Sequence, residues 1–104
     1  MKDVSSEEDL RVAVEHGVAL VDFSAPWCAP CRAQEPILNQ MADRFEGKVS
    51  VVTVNVDKCR TTARDFGIRS IPTLIIFKNG KELQRFVGLQ SEFVLSDVLA
   101  QAVI

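Results

Sequence analysis

Residues 18–31 read VALVDFSAPWCAPC, and the fold follows from how this stretch changes character halfway along. VALVDF (18–23) is apolar on both faces except for Asp22, the pattern of a strand covered by helices on two sides. A cysteine pair two residues apart follows at once, at the opening of a helix expected from about Pro30 to Phe45. Ile37, Leu38, Met41, Ala42 and Phe45 share one face of that helix, Gly47 stops it, and Pro36 inside it is expected to kink it. Downstream, VSVVTVNV (49–56) reads as a second central strand, followed by a short helix holding Ala63 and Phe66 and ended by Gly67. TLIIF (73–77), the turn Lys78-Asn79-Gly80-Lys81 and a strand at 82–87 predict a hairpin, since Asn-Gly suits a two-residue loop of positive φ. Ser91 caps a last helix whose apolar face is Val94, Leu95, Val98, Leu99 and Ala102. Upstream, Ser5 to Glu8 has capping-box spacing ahead of Leu10, Ala13 and Val14, and residues 1–4 add an edge strand. Alternating helices and strands closed by a hairpin imply an α/β fold, a central mixed β-sheet flanked by helices on both faces.

With 104 residues, 47% of them apolar, the chain is expected to be a single domain over 1–104 that builds its core without disulfides or metal. The net charge of -2 gives no electrostatic reason for nucleic acid or an anionic membrane as partner. MKDVSSEEDL lacks the apolar core of a signal peptide, and no later run could span a bilayer, so a cytoplasmic location is expected. Three cysteines are too few, and odd in number, for a secreted disulfide framework. Cysteine usage therefore points to chemistry.

Three readings of Cys28 and Cys31 compete: a catalytic dithiol, half of a metal site, or two small core residues. The first turn of a helix presents unpaired N–H groups and the positive end of the macrodipole, which favour a thiolate at Cys28. Two intervening residues let Cys31 reach the same sulfur and displace whatever Cys28 has captured. Pro30 suits the first turn, where a missing N–H costs nothing. Zinc needs four ligands, and the chain offers one CxxC, a lone Cys59 and a lone His16, so no metal is expected. His16 reads as a cation near the end of the first helix. Loop cysteines flanked by prolines make poor core filling.

WCAPC after VDF, SIPTLIIFKNGKE at 70–82 and the Val-Gly at 87 and 88 together resemble the thioredoxin family in order and spacing over essentially the whole chain. The resemblance implies the thioredoxin fold, with Cys28 attacking, Cys31 resolving, and Asp22 as the buried carboxylate. It implies a docking surface of Trp27, Ile71 and Gly88, with the loop residues Ala29 and Pro30 beside it. Taken alone the Ile71-Pro72 bond would be read as trans; the resemblance implies cis, with the Ile71 backbone beside Cys28 to pair with an extended substrate. Three positions depart from the family pattern. Ala29 stands where glycine is usual, Ser24 where an aromatic often follows VDF, and Thr53 where many members carry a lysine facing the aspartate.

The implied activity is protein-disulfide reduction by a protein-disulfide oxidoreductase: a mixed disulfide forms at Cys28 and Cys31 resolves it. Disulfide-containing proteins would be the substrates and a thioredoxin reductase the reductant, with no bound cofactor and the protein a monomer. Oxidising relatives often place histidine between the cysteines, whereas Ala29-Pro30 offers neither donor nor cation. A binding subunit or chaperone using the same groove is the alternative, as is an oxidase or isomerase. Asp22 is either a carboxylate wetted at a strand end or a buried one, and burial would raise its pKa and suit it to accept the Cys31 proton. A threonine hydroxyl or an ordered water could offset part of that rise. Cys59, at the start of the third helix between Lys58 and Arg60, is either a partly exposed small residue or a regulatory thiol acidified by its surroundings.

Overall fold

The computed structural model describes all 104 residues. In chain order the elements are β1 (Lys2–Val4), α1 (Glu7–Val14), β2 (Val18–Ser24), α2 (Ala29–Arg44) and β3 (Val49–Asn55). They continue with α3 (Arg60–Asp65), β4 (Thr73–Lys78), β5 (Lys81–Val87) and α4 (Glu92–Ala102). The five strands form one sheet in the order β1-β3-β2-β4-β5, with β1, β3 and β2 parallel and β4 antiparallel to both β2 and β5. β2 therefore lies at the centre, as its two-sided apolar character requires.

Strand periodicity sorts the core into two layers. Val18 and Leu20 of β2, Val49 and Val51 of β3, and Leu74 and Ile76 of β4 pack with Leu38 and Met41 of α2 and Leu95 and Leu99 of α4. On the other side Ala19, Val21, Phe23, Val52, Val54 and Ile75 meet Leu10 and Val14 of α1 and Cys59 at the head of α3. Phe66 and Phe77 join that layer edge to face, with ring centres 5.9 Å apart. The same parity fixes the site. Asp22 shares the face of Val18 and Leu20, so it points under α2, between its sheet neighbours Thr53 and Leu74.

Several boundaries differ from the sequence expectation. The cap of α1 is Ser6, not Ser5: the Ser6 hydroxyl accepts from the Asp9 N–H at 3.0 Å, while Ser5 donates to the Asp9 carboxylate. Adjacent serines are chemically equivalent caps, and the register of the helix decides between them. His16 lies beyond the C-cap residue Glu15, with its imidazole 3.5 Å from the Glu15 carboxylate. α2 begins at Ala29 because Cys28 itself caps it, and it runs through Pro36 without interruption. β3 ends at Asn55 and α3 one residue before Phe66. The hairpin loop is only Asn79-Gly80, both at positive φ (51° and 83°), so Lys78 and Lys81 pair as strand residues. That turn is pinned to the α1–β2 connection, the Gly80 N–H donating to the Val14 carbonyl and the Asn79 N–H to that of Gly17, each at 2.8 Å.

Candidate active site

The cysteines occupy the point where central strand β2 hands over to helix α2. Cys28 adopts extended geometry (φ -87°, ψ 115°) as N-cap of α2, and its sulfur takes the place a capping oxygen normally fills. The Cys31 N–H donates to Cys28 Sγ at 3.3 Å. An N–H aimed at the sulfur from the positive end of a sixteen-residue helix stabilises negative charge there. Cys28 and Cys31 are joined as a disulfide, with Cα atoms 5.2 Å apart. Both are buried, whereas Trp27, Ala29 and Pro30 around them are exposed. The loop ahead of them is braced where Arg32 donates to the Pro26 carbonyl at 2.9 Å.

Residues distant in sequence complete the surround. The Ile71-Pro72 bond is cis, and the Ile71 carbonyl oxygen stands 3.8 Å from Cys28 Sγ, positioned to accept from the thiol once the disulfide is reduced. The Gly88 N–H donates to the Pro72 carbonyl at 2.7 Å. Gly88 does so at φ 97°, a conformation that side chains other than glycine's strain to adopt. Trp27 is 67% exposed, and its indole N–H donates to the Asp57 carboxylate at 2.7 Å. Asp57 is in turn set by the Asn55 side chain, which accepts from the Asp57 and Lys58 N–H groups. Cys28 thus has Ile71 beside it, joined through buried Pro72 to Gly88, and exposed Trp27 just before it in the chain; Val87 and Leu89, which flank Gly88, are exposed and complete the rim.

Beneath the disulfide, Asp22 is 3% exposed and its Oδ1 has no hydrogen-bond partner in the chain. Burial pushes its pKa up to about 7; the Ser24 hydroxyl pulls the other way, and the charge of Glu35 adds to the rise. Thr53, the residue facing Asp22 across the sheet, leaves the carboxylate alone. Its hydroxyl pairs with Ser24 Oγ at 3.1 Å and donates to the Asp22 backbone carbonyl at 3.3 Å. A cavity of about 590 Å³ is lined by Asp22, Cys31, Glu35, Thr53, Lys58 and Cys59 among others, so one polar space joins the carboxylate and the second cysteine.

Cys59 departs from expectation. It is buried rather than partly exposed, because edge strand β1 covers it: its thiol donates to the Val4 carbonyl at 3.9 Å, and it packs in the α1–α3 layer. Three contributors were missed by sequence reading. Asp57 anchors Trp27, Glu35 faces the cavity, and fully buried Gln34 binds the backbone of Gln90. Gln34 had a visible signal, a polar residue on the apolar stripe of α2; Asp57 and Glu35 had none.

The sequence profile of the Thioredoxin family matches residues 2–101. Thioredoxin 1 of Nostoc sp. is 49% identical over 80 residues, covering 77% of this chain and 75% of its own. The thioredoxin of Synechocystis sp. is 43% identical over 99 residues, covering 95% and 91% respectively. Among solved structures, a mutant thioredoxin from Halobacterium salinarum superposes with a TM-score of 0.91 at 31% identity, over 98% of this chain and 89% of that one. Fasciola hepatica thioredoxin superposes at 0.89 and 28% identity, over 98% and 99%. With its mixed sheet, its capped cysteine pair and these likenesses along nearly its full length, the chain belongs to the thioredoxin family, and it is a thiol–disulfide oxidoreductase.

Proposed function

We propose that the chain acts as one domain that reduces disulfides in other proteins, with Cys28 as nucleophile, Cys31 as resolving thiol and Asp22 as the base. The observation that carries this reading is the Cys31 N–H directed at Cys28 Sγ, which favours charge on the first sulfur. In the reduced protein the Cys28 thiolate attacks one sulfur of the target disulfide; the other leaves as a thiolate and takes a proton from water. Cys31 passes its proton to the Asp22 carboxylate, directly or through water in the shared cavity, and attacks Cys28 Sγ. The Cys28–Cys31 disulfide reforms and the second target sulfur leaves. The target gains two electrons from the cysteine pair, and two protons: one from water at the first step, and the Cys31 proton, which Asp22 returns to the second leaving thiolate. An Asp22 pKa of about 7 suits this, since a weaker base would take the proton poorly and a stronger one would already hold it at neutral pH.

Trp27, Ala29, Pro30, Ile71 and Gly88 serve in this reading as the substrate-binding surface, with buried Pro72 shaping it from beneath. An extended segment adds to the free backbone at Ile71 while apolar side chains rest on the rim. A thioredoxin reductase restores the dithiol, and the cytoplasm suits a protein whose pair must stay reduced. No helix is long and apolar enough to cross a membrane. A regulatory role for Cys59 would be exercised through the cavity that it lines with Asp22 and Cys31. Insulin reduction driven first by dithiothreitol and then by a thioredoxin reductase with its nicotinamide reductant tests the proposal. Many turnovers per protein are expected with both drivers. A single stoichiometric turnover would replace the reading with that of a binding subunit.

A further inference from the structure

The loop between β5 and α4, residues 88–91, carries part of the rim yet has no strand partner. It is held instead by a side chain. Gln34, completely buried, donates from Nε2 to the Gln90 carbonyl at 3.0 Å and accepts the Gln90 N–H at Oε1 at 2.7 Å, copying the two bonds of an antiparallel strand pair. From Gln90 the connection runs on: its side-chain amide donates to the Gly88 carbonyl at 3.2 Å, and the Gly88 N–H donates to the Pro72 carbonyl at 2.7 Å. The next residue back, Ile71, places its carbonyl oxygen 3.8 Å from Cys28 Sγ, in reach of the thiol of the reduced protein. Gln34 itself lies three residues past Cys31 on α2, so these bonds connect the cysteine helix through the 88–90 loop to the Ile71-Pro72 segment that stands against the cysteine sulfur.

Position 34 falls on the apolar stripe with Ile37, Leu38 and Met41, where a leucine would fill the space without desolvating an amide. Both polar atoms of the glutamine are spent on one loop residue. Resting on the disulfide-reductase reading above, we propose that Gln34 is a positioning residue. It holds the Gly88–Gln90 loop at a fixed distance from Cys28, so that the groove for an extended protein segment is preformed. The partner it selects for is therefore a disulfide borne on polypeptide. A small disulfide touches only the sulfur and gains nothing from the loop.

The test compares wild type, Gln34→Leu and Gln90→Ala in reducing insulin, a protein disulfide, and hydroxyethyl disulfide, which has no backbone. Gln34→Leu strips two hydrogen bonds from the loop and should raise the KM for insulin about tenfold with kcat little moved. The selectivity for insulin over hydroxyethyl disulfide falls by the same factor, and the Gln90 amide exchanges with solvent faster. Gln90→Ala breaks only the link to Gly88, threatens no core packing, and should lower the selectivity about threefold. It decides the matter if Gln34→Leu fails to fold. Equal changes on both substrates, or selectivity unchanged in the variants that fold, would overturn the inference. If wild type reduces neither disulfide catalytically, the reductase reading is at fault instead.

Discussion

Replacing Asp22 by asparagine should raise stability relative to wild type as pH rises from 5 to 8, because the variant escapes a penalty that the carboxyl acquires on ionising. The carboxyl of Asp22 is 3% exposed with Oδ1 unpartnered, and its pKa rises from 3.8 to about 7 on folding. Between those two values the folded chain holds a proton that the unfolded chain has released, so stability falls as pH rises across that window and levels off above about 7. Inside the window each step of one in pH costs the folded state about 1.4 kcal/mol, so the penalty that builds up between pH 5 and pH 8 is about 3 kcal/mol. An asparagine amide does not titrate. It carries its own constant cost, about 1–3 kcal/mol if a buried N–H finds no acceptor. That cost cancels when the variant-minus-wild-type difference at pH 5 is subtracted from the difference at pH 8. Urea unfolding of the oxidised proteins at the two pH values gives both differences. The expected double difference is about 3 kcal/mol in favour of the variant. Parallel stability curves for the two proteins would refute the claim that Asp22 is a buried, proton-holding carboxyl.

Glu35→Gln removes a negative charge that raises the Asp22 pKa, so the carboxyl titration followed by NMR should move to slightly lower pH, and Glu35→Lys should move it further. Trp27→Ala deletes an exposed indole held by Asp57; thermal stability should change by less than about 1 kcal/mol while kcat/KM for insulin falls about tenfold. Cys59 is buried to the same degree as Cys28 but lacks its helix-capping N–H, so it should react with iodoacetamide at least about tenfold more slowly than Cys28 in the reduced protein, read by mass spectrometry.

The layers of the fold were readable because their causes are local. β2 is apolar on both faces, so it had to be central; the parity of Leu20 and Asp22 then sets the carboxylate on the α2 side. Asn79-Gly80 specified the hairpin through the positive φ both residues adopt. What escaped depends on contacts made by residues far apart. The burial of Cys59 depends on packing by distant residues, among them Val4 of β1, fifty-five residues away, whose carbonyl accepts from its thiol. The Asp57 partner of Trp27 is a surface carboxylate with nothing in its neighbourhood to mark it. Gln34 stood out as polar on an apolar stripe, but its partner is backbone fifty-six residues on, and backbone has no sequence signature. The cis Ile71-Pro72 bond came from family resemblance alone, since the residues themselves favour trans.

The division of labour between the two cysteines is tested most directly by trapping the intermediate. Reduced Cys31→Ser and Cys28→Ser variants are each mixed with a peptide disulfide, quenched in acid and weighed by mass spectrometry. Cys31→Ser should accumulate a stable mixed disulfide through Cys28, because the attacking sulfur keeps the N–H from position 31 while nothing remains to displace the peptide. Cys28→Ser should form little adduct under the same conditions. Adduct accumulating through Cys31 in Cys28→Ser, with none in Cys31→Ser, would contradict the assignment of Cys28 as the nucleophile.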